Sequence, residues 1–344
     1  MFDNTLVNEF CVTRNLKKST FNGYLTALKL YAKFCKMNLQ ELINEAYFEE
    51  NQGIPLKDRN IKRHLIGFRN FLLQNLSPGA AKTYFAKVKT FYNHFEVQLP
   101  YLPSAKYGVD YEIYYNDLPT NEHIKNALSI STCGMRAIIL FMATSGTAMA
   151  ETLSLTINDF IKATKGYHDN NSLEDILNTL INQEDIVPTW YLKRIKTDKY
   201  YYTFNHPIAT NEIVKYLKSR VIFDLNEKLF PFLPSLVLDR FQKINDYFGW
   251  GRKGKYRFFR SHTLRKFHAS NIGLSAEHVD LLQGRSRNIV HETYIKTNPQ
   301  KLKQLYTEAM HHLSLTDTPS NNEINYQTQD KNEVNITINM LIFI

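Results

Sequence analysis

His262 and Arg265 stand three residues apart, and Tyr294 follows them downstream. On a helix, an H-x-x-R spacing places an imidazole and a guanidinium about one turn apart on one face. Such a pair suits one phosphate group: arginine as a planar fork, histidine as a proton donor or acceptor. A tyrosine hydroxyl is a nucleophile that this phosphate could meet. Its free pKa near ~10 makes it weak at neutral pH, so concentrated positive charge beside it is a chemical requirement. The sequence holds such charge. Residues 250–268 include Arg252, Lys253, Lys255, Arg257, Arg260, Arg265 and Lys266, with no acidic residue and with Tyr256, Phe258 and Phe259 interleaved. A solvated loop with a few core aromatics has the same composition. Its abutment on His262 and Arg265 favours a phosphate-binding, DNA-contacting surface.

The ordered set is more specific than any single residue. HTLR at 262–265, followed by LLQGRSRNIVHETYI around Tyr294, resembles the C-terminal catalytic signature of tyrosine recombinases, the phage-integrase family. Gln283-Gly284-Arg285, and NPQKLKQLYTEAM after the tyrosine, are most similar to its archaeal integrases, proteins of mobile genetic elements. The resemblance spans residues 1–312, with its specificity concentrated in 259–294. It implies that Tyr294 attacks a scissile phosphate in duplex DNA, forms a 3′-phosphotyrosine and releases a 5′ hydroxyl. Arg265 would bind phosphate oxygens, and His262 would orient the phosphate or move a proton. Lys196 would protonate the leaving oxygen, with Lys193 and Lys199 as close competitors. Arg285 falls where many members carry His or Trp; it reads as a phosphate contact or as a helix-end surface arginine.

One position departs from the family. Its first signature has a glycine, one residue, an arginine and then a glutamate three positions on. Gly146 and Glu151 align, but Ala148 holds the arginine's place. Losing one preorganised donor of this kind costs transition-state stabilisation of about 3 kcal/mol. Three readings follow: a site-specific recombinase or integrase; a protein of the same fold that binds DNA and cuts it poorly or not at all; and an unrelated basic helical DNA-binding regulator. The resemblance further implies double-stranded attachment sites as partners, a dimer on one site and a tetramer in synapsis. Bond energy held in the phosphotyrosine removes the need for a cofactor or a metal. In keeping with that, the chain has no G-x-x-x-x-G-K-[ST] run, and His262 and His268 are out of helical phase for one metal.

Composition frames the elements that must position these residues. At 344 residues the chain suggests two domains. A formal charge of +9 suits a polyanionic partner. Cys11, Cys35 and Cys133 are scattered without metal spacing, an intracellular pattern that points to the cytoplasm and its chromosome. No apolar run approaches the ~18 residues of a membrane span.

The expected fold is mainly α with a small β-hairpin, an α+β arrangement. Residues 1–100 read as a helical bundle similar to the family's core-binding domain, which closes over one side of the duplex. Ser19 or Thr20, Asp58 or Asn60, and Ser77-Pro78 are its helix-start signals. Lys29, Lys33, Lys62, Arg63, Arg69, Lys82, Lys87 and Lys89 fall on its exposed faces. Residues 101–119 form a proline-punctuated linker, and 120–314 the catalytic domain. Within that domain 135–144 is a buried helix, 161–186 an insertion or irregular connection, and 189–204 a hairpin turning at 197–199. Helices follow over 211–220, 235–248 and 276–283, the last ended near Gly284. Residues 315–344 form a polar tail that cannot offset its own ordering entropy.

Overall fold

A computed structural model describes residues 5–169, 172–285 and 298–314. Tyr294 and the tail from 315 lie outside the described residues. The chain divides into two compact units, Met1–Glu112 and Ile113–Ile344.

The described residues of the first unit form five α-helices: α1 (Thr5–Thr13), α2 (Lys18–Cys35), α3 (Leu39–Asn51), α4 (Asn60–Asn75) and α5 (Pro78–His94). Apolar residues recurring every three to four positions give each helix one buried face. Leu28 and Tyr31 of α2, Leu65, Phe68 and Leu72 of α4, and Phe85, Val88 and Phe91 of α5 meet in one core. Pro78 opens α5, where its missing N–H costs nothing. The other expected caps differ. Lys17 and Arg59 precede α2 and α4 without side-chain capping, so Ser19, Thr20 and Asn60 lie inside the helices. The true cap is at α3, where Asn38 and Glu41 bond reciprocally. Arg69 also departs from expectation. It is buried, donating to the Pro103 carbonyl and lying 5.8 Å from the Phe85 ring centroid. It is structural rather than a surface cation.

The second unit is built on α7 (Cys133–Ser145), which is buried from Met135 through Phe141 to Ser145 except at Arg136. α6 (Asn121–Ser129) precedes it, and α8 (Met149–Thr152) and α9 (Ile157–Thr164) follow. α10 (Leu173–Ile181) then fills much of the stretch expected to be irregular. Its Ile176, Leu177 and Leu180 are buried at helical spacing, a stripe masked in the sequence by the polar run at 166–171.

β1 (Trp190–Arg194) pairs antiparallel with β2 (Lys199–Thr203), Trp190 opposite Thr203 and Arg194 opposite Lys199. The connecting residues are 195–198, and Asp198 adopts φ 57°. The turn therefore begins two residues earlier than expected and includes Lys196. α11 (Pro207–Lys218) and α12 (Pro234–Tyr247) follow. The expected basic loop contains a second small hairpin, β3 (Arg252–Lys253) with β4 (Tyr256–Arg257). α13 (Ser261–Asn271) packs on α7, as does α11. α14 (Ala276–Leu282) lies against β2, and α15 (Pro299–Ala309), followed by a 3-10 turn over Met310–Leu313, ends the described chain. Tyr306 of α15 is buried and donates to the Thr144 carbonyl at 2.7 Å. No helix among the described residues is long and apolar enough to cross a membrane.

Candidate active site

The site forms where α7 ends. Gly146 caps the helix with φ 67°, in the left-handed region that glycine tolerates. A Cβ there would fall 2.5 Å from His268 Nδ1 and 2.7 Å from Gln283 Nε2. The close approach exposes the Gly146 carbonyl to α13, and Arg265 Nη1 donates to it at 2.6 Å. Arg265 Nη2 donates at 2.6 Å to the Gln283 carbonyl. Gln283 is itself buried, its Nε2 bonding the Arg265 carbonyl and His268 Nδ1, each at 3.0 Å. Arg265 is therefore held by backbone on two sides at 5% exposure, so its fork is fixed before any ligand arrives. Gly284, at φ 58°, then turns the chain against the Tyr201 ring, where a Cβ would lie 2.6 Å away.

A second guanidinium enters from the hairpin. Strand alternation puts Trp190, Leu192 and Arg194 on one face of β1, with the first two buried. Arg194 Nη1 donates to the same Gln283 carbonyl at 2.6 Å. Among the described residues, neither Arg194 nor Arg265 forms an ion pair with a carboxylate. Burial, followed by the repulsion of Arg194, brings Arg265 down to about 10, with Tyr201 and Glu151 opposing and Arg285 adding. Arg265 is still a cation at neutral pH.

His262 lies in the first turn of α13, three residues before Arg265. Desolvation of its ring, then Arg260, Lys266, Arg265 and Arg285, pull it down to about 4. The residue is exposed overall, and the four cations around it disfavour its protonation. Its imidazole is neutral at pH 7 and can accept a proton. His268, fully buried, is brought by burial and then Arg265 and Arg285 to about 3.

Ala148 precedes α8 and is part-buried; its N–H donates to Glu151 Oε2 at 2.8 Å. Glu151 is buried and fixes this turn. Arg285 is tied to Asp280 by its backbone N–H, at 2.8 Å, and by its side chain, at 3.3 Å. Lys196 is exposed in the hairpin turn. Lys193 projects from the opposite face to Arg194 and pairs with Asp198 at 3.4 Å. Lys199 is exposed beside Arg194 in the ladder.

The basic stretch divides in the same way. Lys253 pairs with the buried Asp117 at 3.1 Å. Arg257 grips Asp246 through two bonds of 3.0 and 3.1 Å. Arg252 donates to the Lys255 carbonyl, and Lys255 and Arg260 lie over the Tyr256 ring at 5.3 and 4.2 Å. Lys266 is part-buried on α13. The structure thus gathers Arg265, His262 and Arg285 within electrostatic reach, and brings Lys196 on the hairpin whose Arg194 reaches Gln283. It commits Lys253 and Arg257 to carboxylates. Arg194 and Gln283 were missing from the sequence-based set. The alternation from Trp190 would have found the first; the second stands in the Gln283-Gly284-Arg285 run, but its role here is that of a backbone carbonyl, which residue type does not mark.

No family model matches this sequence, and no curated protein matches it. Solved structures do. The chain is similar to XerH site-specific recombinase bound to palindromic difH substrate in a post-cleavage complex, at 16% identity and a TM-score of 0.53, covering 88% of this chain and 83% of that one. It is similar to a lambda integrase(75-356) dimer bound to a COC' core site, at 12% identity and 0.53, covering 87% and 99%. A lambda integrase tetramer bound to a Holliday junction matches at 13% and 0.53, covering 85% and 78%. At these identities the likeness gives the fold, a mainly helical one with a small antiparallel sheet that matches tyrosine recombinase catalytic domains.

Proposed function

We propose that this chain is a site-specific DNA recombinase, an integrase of a mobile element, that cuts and rejoins duplex DNA through Tyr294. The observation that carries the reading is Arg265, buried and locked by two carbonyls, with neutral His262 one turn before it on a recombinase-like fold. In the forward step the Tyr294 oxygen forms a bond to phosphorus and the bond from phosphorus to the 5′ oxygen breaks. His262 accepts the tyrosine proton, and Lys196 supplies one to the leaving oxygen. Arg265 holds the non-bridging oxygens as charge develops on them. Attack by a 5′ hydroxyl from a second duplex reverses the step and exchanges strands.

The neighbours include XerH on its substrate and lambda integrase as a dimer on a core site and a tetramer on a Holliday junction. By extension this chain takes double-stranded attachment sites as partners, acts as a dimer on one site and a tetramer in synapsis, and works at the chromosome in the cytoplasm. Ala148 favours a second reading, in which the chain binds DNA with impaired cutting.

The test is incubation with a pool of nicked duplexes whose arms are randomised around the nick. A covalent adduct on a denaturing gel, mapped by peptide sequencing to Tyr294 and lost in Tyr294→Phe, is the expected outcome. Sequencing the trapped DNA then gives the preferred site. An adduct that survives Tyr294→Phe removes Tyr294 as nucleophile, and retention of DNA without adduct moves the chain to the second reading.

A further inference from the structure

We infer that Arg194 is the second phosphate-binding guanidinium of this site, acting with Arg265 on the non-bridging oxygens of the scissile phosphate. The inference rests on the recombinase reading and adds to it a catalytic residue on the hairpin.

Two like charges donate to a single carbonyl oxygen, that of Gln283, at 2.6 Å each. Their donor nitrogens are therefore no more than two hydrogen-bond lengths apart. A guanidinium has five N–H donors. Among the described residues, Arg194 commits one of its donors, to Gln283, and Arg265 two, to Gln283 and Gly146. No described carboxylate forms an ion pair with either. At Arg265 the repulsion of Arg194 outweighs the attraction of Glu151, so the pair is favoured when a further anion joins it, and a phosphodiester supplies two oxygens and a negative charge of suitable shape.

Arg194 is also firmly placed. Trp190 Nε1 donates to Asn205 Oδ1 at 2.7 Å on the same strand, and Thr203 opposite donates to the Ser145 carbonyl at 2.9 Å. The hairpin is thereby fixed to the end of α7, next to Gly146. Arg285, by contrast, is exposed and held by Asp280. At the start of α8, Ala148 offers only a methyl group, so the charge that complements Arg265 comes from β1.

The competing role for Arg194 is mechanical, a pin fastening the hairpin to Gln283. The charge of the phosphate separates the two. In the transition state the bond forming from the Tyr294 oxygen to phosphorus and the bond breaking from phosphorus to the 5′ oxygen place added charge on the non-bridging oxygens. A methylphosphonate, in which a methyl group replaces one of them, removes the charge that a clamp would neutralise and leaves a pin unaffected.

The experiment uses the full chain and the nicked duplex recovered from the randomised pool, made with a phosphodiester or with either methylphosphonate diastereomer at the scissile position. Arg194→Ala should slow adduct formation on the phosphodiester about a hundredfold while DNA affinity changes little. On the methylphosphonate the penalty should shrink to less than about tenfold. Arg194→Lys should recover part of the rate, since it restores charge without the planar fork. Should Arg194→Ala melt early, Arg194→Met keeps the stem and carries the same comparison. An unchanged phosphodiester rate, or equal losses on both substrates, overturns the assignment of Arg194 alone. Absence of adduct from the unaltered chain with every duplex in the pool overturns the recombinase reading beneath it.

Discussion

Arg194 and Arg265 come from a strand and a helix distant in sequence, yet both donate to the Gln283 carbonyl at 2.6 Å. A carbonyl has two lone pairs, and here each receives a charged donor. The arrangement positions two cations without neutralising either, as a site for an anionic substrate requires.

Ala148→Arg tests how full that site already is. With Arg194 present, adding the arginine should raise the adduct rate by less than about tenfold, whereas in an Arg194→Ala background it should restore about two decades. Rates on the recovered nicked duplex for the four combinations give the coupling. A gain of two decades in both backgrounds would show that the two positions act independently.

His262 and His268 make stability depend on pH in a defined direction. Both lie below the ordinary 6.5, at about 4 and about 3. The unfolded chain takes up protons below 6.5 that the fold resists, so stability is complete above 6.5 and is lost as pH falls toward 3. His262→Gln should flatten the part of the loss between 6.5 and 4, read from urea unfolding across that window. An identical pH profile in the variant would mean that His262 is not held neutral by Arg260, Lys266, Arg265 and Arg285.

Gly146→Ala should destabilise the second unit by about 2–4 kcal/mol, combining left-handed backbone strain with overpacking. The added Cβ would meet His268 and Gln283 at 2.5 and 2.7 Å, so the variant should also lose adduct formation. Thermal melts and adduct assays report the two effects separately. A variant as stable as the parent contradicts the close packing.

Lys196→Ala should slow adduct formation about a hundredfold on an ordinary duplex, and far less when sulfur replaces the leaving 5′ oxygen, because a thiolate needs no proton. Lys193→Ala should lose less, since that lysine faces away from Arg194 and pairs with Asp198. Rescue by sulfur in the Lys193 or Lys199 variant instead would move the general-acid role there.

The helices were legible in the sequence because burial imposes a period on residue type. Phe85, Val88 and Phe91 disclose α5, and the apolar run at 137–143 discloses α7. α10 was obscured because Gly166, Asp169 and Asn170 precede a stripe only nine residues long. His262 and Arg265 were recognised because their spacing is itself a geometric statement. Arg69 and Arg257 illustrate the converse. Residue type marks both as surface cations, but their partners, Pro103 and Asp246, depend on tertiary contacts with no local signature. The Gln283 hub was equally hidden, since a backbone carbonyl leaves no trace in residue identity.

Backbone anchoring of two neighbouring cations that form no ion pair among the described residues has a thermodynamic side. Their mutual repulsion is present in the folded protein and largely absent from the unfolded chain, so the charge pair weakens the fold that contains it. Sulfate or phosphate should then raise the melting temperature through selective binding to the native state. Arg194→Met should melt higher than the parent in dilute buffer and respond less to sulfate. Selection for thermal robustness alone would therefore drift toward inactive variants at β1, and a heat-resistant library becomes a map of the charges that catalysis requires.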